Sequence, residues 1–178
     1  MFLNVEIKAR CKNPNQVREY LRSAEHKGTD HQVDTYFNVR TGRLKLREGK
    51  IENALIYYER GDQPGPKQSQ VLLYKGQPKS SLKEVLTKAL GVLAVVDKQR
   101  DIYFLDNVKF HVDSVKGLGS FVEIEAIDED GSIGKDRLNE QCQQHLKALG
   151  IRDQDLIATS YSDLVLESES DTSGKSNE

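Results

Sequence analysis

Polar and apolar positions alternate along many short segments of this chain. In NVEIKAR, residues 4–10, polar side chains occupy every second position and Val5, Ile7 and Ala9 lie between them. Because successive side chains of a strand point to opposite faces, the pattern predicts a strand with one charged and one apolar face. Short connections that contain Gly, Asn or Asp favour antiparallel hairpins between such strands. We predict eight strands, at residues 3–11, 32–39, 43–48, 54–60, 70–75, 95–105, 108–115 and 120–127.

Three other segments show the helical period. Apolar residues recur every three or four positions in residues 13–24, 81–91 and 134–150, which is typical of surface helices with one buried stripe. Asn13 followed by Pro14, and the Ser81 and Glu84 pair, suit helix N-termini. Each apolar stripe needs an apolar sheet surface to cover.

Charge is segregated on the polar faces of five strands. Arg43, Lys45 and Arg47 share one face of their segment, whereas Glu123 and Glu125 share a face of another. If helices cover the outward apolar faces, the charged faces point inward around a water-filled lumen. We therefore predict an α+β fold, a closed antiparallel eight-stranded β-barrel with helices packed on the outside. The same pattern also fits strands whose charged faces are simply solvated.

Length and composition favour a single domain. The chain has 178 residues, of which 37% are hydrophobic, so we expect one domain over residues 1–165 and a disordered polar tail over residues 166–178. The formal charge is -2 and the acidic tail accounts for it, so no nucleic-acid or membrane partner is expected. Two cysteines and no long apolar segment favour the cytoplasm.

The motifs in their order resemble a known family. VEIKAR near the start, VDTYFNVRTGRLKLRE, and KQRDIYFLDNVKFHVDSVKGLGSFVEIEAI resemble the CYTH domain of the triphosphate tunnel metalloenzyme superfamily, in its class IV adenylyl cyclase-like branch. The resemblance covers residues 3–165. It implies a tunnel that binds a triphosphate-containing small molecule together with Mg²⁺ or Mn²⁺.

The resemblance also assigns roles to nine side chains. Cations suit the phosphates and carboxylate oxygens suit a hard divalent metal. Asp113 could instead form a simple salt bridge to Lys98 or Lys109, and Asn4 replaces a glutamate of the family's fullest signature, so the number of metal ions is one or two. The substrate-binding candidates are Lys8, Lys45, Arg47, Lys98 and Arg100, the metal ligands are Glu6, Glu123 and Glu125, and the catalytic candidates are Lys8 and Asp113.

Several functions fit these residues. The leading one is a metal-dependent enzyme that hydrolyses inorganic, thiamine or nucleoside triphosphate, or that cyclises ATP to cyclic AMP and pyrophosphate. No segment predicts an adenine pocket. The alternatives are a non-catalytic module that binds polyphosphate or nucleotide, and a structural sheet protein; a monomer and a homodimer are equally compatible. Because like charges repel in an empty tunnel, we also expect the fold to tolerate loss of Arg47 or Arg100.

Overall fold

Eight antiparallel strands close into a barrel in the computed structural model, which describes residues 2–61, 64–76 and 80–173. The order around the barrel is β1-β5-β4-β3-β2-β6-β7-β8, which confirms the predicted fold class. The strands are β1 (Phe2–Arg10), β2 (Glu25–Phe37), β3 (Arg43–Glu48), β4 (Ala54–Arg60), β5 (Lys67–Tyr74), β6 (Val92–Leu105), β7 (Val108–Val115) and β8 (Gly119–Asp128).

Four helices accompany the barrel in the part of the chain that the structure describes. They are α1 (Pro14–Tyr20), α2 (Leu82–Leu90), α3 (Lys135–Ala148) and α4 (Tyr161–Ser173), with a 3₁₀ turn at Asp153–Asp155 before α4. The Asn13 side chain caps α1 by accepting from the Gln16 backbone N–H, as its position before Pro14 predicts. No helix in the described residues combines the length and the apolar character needed to cross a membrane.

The main hydrophobic core lies outside the barrel wall, beneath α1 and α3. The apolar faces of β1, β7 and β8 supply buried side chains that pack against Leu138 and Cys142 of α3, and each large one contributes about 1.5–3 kcal/mol. Since these apolar faces point outward, the alternate polar positions point into the barrel. The core members from these three strands are Val5, Ile7, Ala9, Val108, Phe110, Val112, Val122, Ile124 and Ala126, and Tyr103 of β6 joins them.

Residues 156–161 bring α4 against one end of the barrel. The backbone N–H of Ile157 donates to the carbonyl of Lys8 at 2.8 Å, and Lys67 donates to the carbonyls of Ile157 and Ala158 at 2.9 and 2.7 Å. Tyr161, the first residue of α4, then packs edge-on against Phe121, with ring centroids 5.0 Å apart.

Several elements differ from the sequence expectation, among them β2, β6 and α4. Strand β2 begins at Glu25 instead of residue 32, because its polar first half pairs with β6 from Phe104 inward. Strand β6 likewise begins at Val92 instead of residue 95. Helix α4 continues to Ser173, so residues 166–173 are helical where a disordered tail is expected. The rest of that tail lies outside the described residues.

Candidate active site

A cavity of about 510 Å³ runs inside the barrel. On β1, the side chains of Asn4, Glu6 and Lys8 all line it, whereas Arg10 is exposed and donates to the Leu118 carbonyl at 3.3 Å. The charged face of the first strand therefore points into the lumen for three of its four positions. Of the nine site candidates, those that line the cavity wall within the described residues are Glu6, Lys8, Lys45, Arg47, Arg100, Glu123 and Glu125.

Two arginines on the cavity wall are clamped by buried aspartates. Arg47 donates through Nε and Nη2 to the two oxygens of Asp34 at 2.8 and 2.9 Å. Arg100 donates in the same way to Asp113 at 2.7 and 2.5 Å. Bidentate pairs of this kind fix the plane of the guanidinium. Both arginines are thus preorganised before any ligand arrives.

Asp113 lies behind Arg100 rather than on the cavity wall. It is 1% exposed and also accepts a hydrogen bond from the Tyr161 hydroxyl at 2.8 Å. Its salt bridge is to Arg100, not to Lys98 or Lys109 as the sequence analysis considered. This position suits a residue that holds Arg100, and it does not suit one that orients water in the cavity.

Lys98 is likewise absent from the described cavity wall. Its side chain is fully buried and its Nζ lies 2.7 Å from Asp34. Burial lowers the pKa of Lys98 to about 7, although Asp34 opposes the shift. Burial by itself would raise the pKa of Asp34, but Arg47, Lys45 and Lys98 hold it well below its usual range. Lys98 therefore helps to neutralise Asp34, the buried aspartate that positions Arg47.

Glu123 is the meeting point of three basic side chains. Its carboxylate lies 3.2 Å from Lys8 Nζ, 2.8 Å from Arg100 Nη2 and 3.0 Å from His111 Nδ1. Burial favours the neutral acid, yet Arg100 and Lys8 hold the pKa of Glu123 well below its usual range. Burial also lowers the pKa of Lys8 while Glu123 opposes that shift. Glu123 is thus ionised, and its carboxylate already pairs with three side chains of the protein.

The other two acidic candidates face each other across neighbouring strands. Glu6 on β1 pairs in register with Glu125 on β8, and the Asn4 side-chain N–H₂ donates to Glu125. The Asn4 Oδ1 and the Ser69 Oγ are buried without a hydrogen-bond partner, and these two residues are themselves paired across β1 and β5. Buried oxygens without donors are rare and indicate a missing cation or donor.

These oxygens fit a divalent metal ion. Mg²⁺ and Mn²⁺ prefer carboxylate and carbonyl oxygens and keep several positions for water and phosphate. In the part of the chain that the structure describes, no three His, Cys, Asp or Glu side chains are gathered closely enough to hold a metal by themselves. Glu6, Glu125 and Asn4 would therefore bind an ion jointly with ligands from the substrate or solvent, and Glu123 is the less available carboxylate.

Several cavity residues were not selected as site candidates from the sequence. Lys109 and His111 share the inward face of β7, so their alternation with apolar neighbours was a usable signal. Glu52 and Tyr161 gave no such signal, because one comes from the β3–β4 connection and the other begins α4. The remaining polar members of the wall are Asn4, Tyr36, Asn53, Tyr58, Ser69, Lys75 and Glu129.

One end of the cavity is lined by apolar side chains. Strands β3, β5, β6 and β8 run in the same direction, so their final residues meet at one rim of the barrel. Leu73 and Ile51 there are 47% and 45% exposed, and they line the cavity with Phe104 and Ile127. Tyr161 lies toward the opposite rim. The cavity therefore runs from a charged interior to an opening at which these apolar side chains lie beside Lys75 and Glu129, the residues that follow β5 and β8.

The barrel is closed, and its interior places cationic side chains beside carboxylates. The family model described as the CYTH domain matches residues 3–161, and the chain belongs to this family. A relative from Methanocaldococcus jannaschii is provisionally named an adenylate cyclase. It is 29% identical in an alignment of 180 residues that covers 92% of this chain and 98% of the relative.

Solved structures share the fold. A Pyrococcus horikoshii protein has a TM-score of 0.71 at 22% identity, over 90% of this chain and 98% of that one. A Hippeastrum protein, provisionally named an adenylyl cyclase and described as having a dominant triphosphatase activity, has a TM-score of 0.57 at 14% identity, over 90% of this chain and 91% of that one.

Proposed function

We propose that this protein is a divalent-metal-dependent enzyme that acts on a triphosphate bound inside the barrel. The observation that carries the proposal is the arrangement of two clamped arginines, Arg47 and Arg100, in one cavity with the Glu6 and Glu125 carboxylates. A triphosphate is a compact polyanion, and phosphoryl transfer depends mainly on positioning and charge stabilisation. No nucleophilic serine or cysteine is required.

Each side chain has a distinct task in this proposal. Lys8, Lys45, Arg47 and Arg100 bind phosphate oxygens, and the arginines are the directional donors. Glu6, Glu125 and Asn4 hold Mg²⁺ or Mn²⁺, with Glu123 as a further ligand when its cations turn to the substrate. The metal supplies charge neutralisation at the phosphates and can lower the pKa of water.

Two candidates act indirectly in this proposal. Asp113 and Lys98 do not contact the substrate but act through Arg100 and through Asp34. Lys8 remains the candidate for direct contact with the reacting phosphate, because it lines the cavity. Its Nζ lies 3.2 Å from the Glu123 carboxylate and 3.9 Å from the centroid of the Tyr161 ring.

The apolar side chains at the rim of the cavity favour a triphosphate that carries an organic group. An inorganic triphosphate gains nothing from Leu73, Phe104 and Ile127, whereas a nucleoside or thiamine moiety can bury apolar surface there. Hydrolysis and cyclisation of ATP both remain compatible with the cavity. The M. jannaschii relative is named for cyclisation and the Hippeastrum structure for triphosphatase activity.

Product analysis tests this proposal. The protein is incubated with ATP, thiamine triphosphate or inorganic triphosphate, each with Mg²⁺, with Mn²⁺ and with a chelator. We expect metal-dependent turnover and faster use of an organic triphosphate, with phosphate indicating hydrolysis and cyclic AMP with pyrophosphate indicating cyclisation. Glu6→Gln keeps the shape of the side chain and should reduce the rate about a thousandfold. Metal-dependent binding without any product would favour the binding module instead.

A further inference from the structure

Glu52 forms ion pairs with two cationic side chains of the cavity, although it does not lie on a strand. It belongs to the connection between β3 and β4. Its carboxylate accepts from Arg47 Nη1 at 2.8 Å and from Gln32 Nε2 at 2.9 Å, and it also accepts from Lys109 Nζ. Burial would raise the pKa of Glu52, but Arg47 and Lys109 hold it far below its usual range. The cavity therefore carries a fixed negative charge from this connection.

The Glu52 contact engages the side of Arg47 that Asp34 leaves open. Nε and Nη2 of Arg47 already donate to Asp34, so Nη1 is the group directed toward other acceptors. Arg100 also has a second acceptor, but a different nitrogen serves it: Nη2 of Arg100 donates both to Asp113 and to Glu123. Unlike Glu123, Glu52 is not itself one of the proposed metal ligands. A phosphate that uses Arg47 in full must compete with Glu52.

The connection that carries Glu52 is built to hold it in place. Asp30 of β2, 1% exposed, accepts from the backbone N–H groups of Lys50 and Glu52 at 2.8 and 3.0 Å. At Gly49, a Cβ atom would lie 2.4 Å from an Asp30 oxygen and 2.8 Å from the Glu52 carbonyl, so a larger residue does not fit. These contacts fix the backbone of the connection, while the Glu52 side chain keeps 20% of its surface exposed.

We propose that Glu52 is an internal counter-ion that competes with the substrate for Arg47 and Lys109 and thereby selects for metal-complexed triphosphate. The inference rests on the proposed function and adds a specificity residue to it. Among the described residues, six cationic and five carboxylate side chains line the cavity. While Glu52 is in place, the positive and negative charges that line the cavity nearly balance. A metal-free triphosphate is then attracted only weakly and is repelled by the Glu52 carboxylate. A complex with Mg²⁺ brings less negative charge and is penalised less.

Calorimetric binding of inorganic triphosphate in a chelating buffer tests the proposal, because it requires neither metal nor turnover. Glu52→Gln keeps the size and an acceptor oxygen but removes the charge. We expect it to bind metal-free triphosphate about ten- to a hundredfold more tightly than the wild type. With Mg²⁺ present the gain should be smaller. Glu129→Gln is the matched control, since Glu129 lines the same cavity but has no ion pair within the described residues.

The outcomes separate this inference from the function on which it rests. Equal or weaker binding by Glu52→Gln would overturn it and would mean that Glu52 orients Arg47 for the substrate. An equal gain in Glu129→Gln would also overturn it, since charge at any wall position would then suffice. Glu52→Asp, which keeps the charge but withdraws it from both cations, should give an intermediate gain and serves if Glu52→Gln unfolds. If the wild type binds triphosphate neither with nor without metal, the proposed function itself fails.

Discussion

The two cavity arginines owe their orientation to carboxylates that lie behind the described cavity wall. Asp34 and Asp113 are each about 1% exposed or less, and each receives a bidentate pair from the arginine in front of it. A buried carboxylate of this kind is tolerable only while its cation stays in place. The sequence expectation that Arg47 or Arg100 can be removed without harm therefore changes. Loss of Arg100 leaves the Asp113 charge without its cation, whereas loss of Arg47 removes the bidentate partner of Asp34 but leaves Lys45 and Lys98 beside it.

Arg100→Met should consequently destabilise the protein by about 3–5 kcal/mol in the free energy of unfolding, because Asp113 remains buried without its partner. Denaturant titrations of the single variants and of Arg100→Met combined with Asp113→Asn measure this as a double-mutant cycle. We expect the second change to recover part of the loss. Strictly additive losses would show that the two side chains are not energetically coupled.

Period-two alternation predicted which side chains face inward, and it placed seven site candidates on the cavity wall. It could not separate the residues of the cavity wall from those behind the wall. Lys98 and Asp113 lie on the same inward face of the sheet as Arg100, but they are not part of the described cavity lining. The alternation could not place Glu52 either, because Glu52 does not lie on a strand. Its direction depends on backbone hydrogen bonds to Asp30, twenty-two residues earlier in the chain.

At the scale of elements, the strands were more predictable than the helices and the strand ends. Strong alternation marks the middle of each strand, whereas the first half of β2 is polar and gains its structure from pairing with β6. Helix α4 has a polar second half, ESESDTS, that resembles a disordered tail. Its first turn is fixed by Tyr161, and by Asp163, which accepts from Arg43 at 3.0 Å.

Strand β5 offers a matched test of the apolar rim. Leu72 and Leu73 are adjacent and almost equally exposed, at 50% and 47%, but only Leu73 lines the cavity within the described residues. Leu73→Ala should raise KM for an organic triphosphate several-fold, since apolar contact with the organic group is lost, and should leave KM for inorganic triphosphate unchanged. Leu72→Ala should change neither. Equal effects of both variants would mean that the rim does not contact the substrate.

At the scale of the whole molecule, the barrel separates two environments with one sheet. The outward face of β1, β7 and β8 forms a dry core with α1 and α3, while the inward face of the same strands carries Glu6, Lys8, His111 and Glu123. The packing energy of the outer core supports the close approach of charges inside, where the cavity lining contributes little apolar burial. This division explains how a chain of near-neutral charge can build a strongly charged site.

Thermal unfolding with inorganic triphosphate, with Mg²⁺ or Mn²⁺, and with both together tests the central claim most directly, because a ligand that binds only the native state raises Tm by mass action. We predict a much larger rise in Tm with triphosphate and metal together than with either alone, and a loss of the metal-dependent part in Glu6→Gln. An unchanged Tm with both ligands present would contradict the account of the cavity as a triphosphate and metal site.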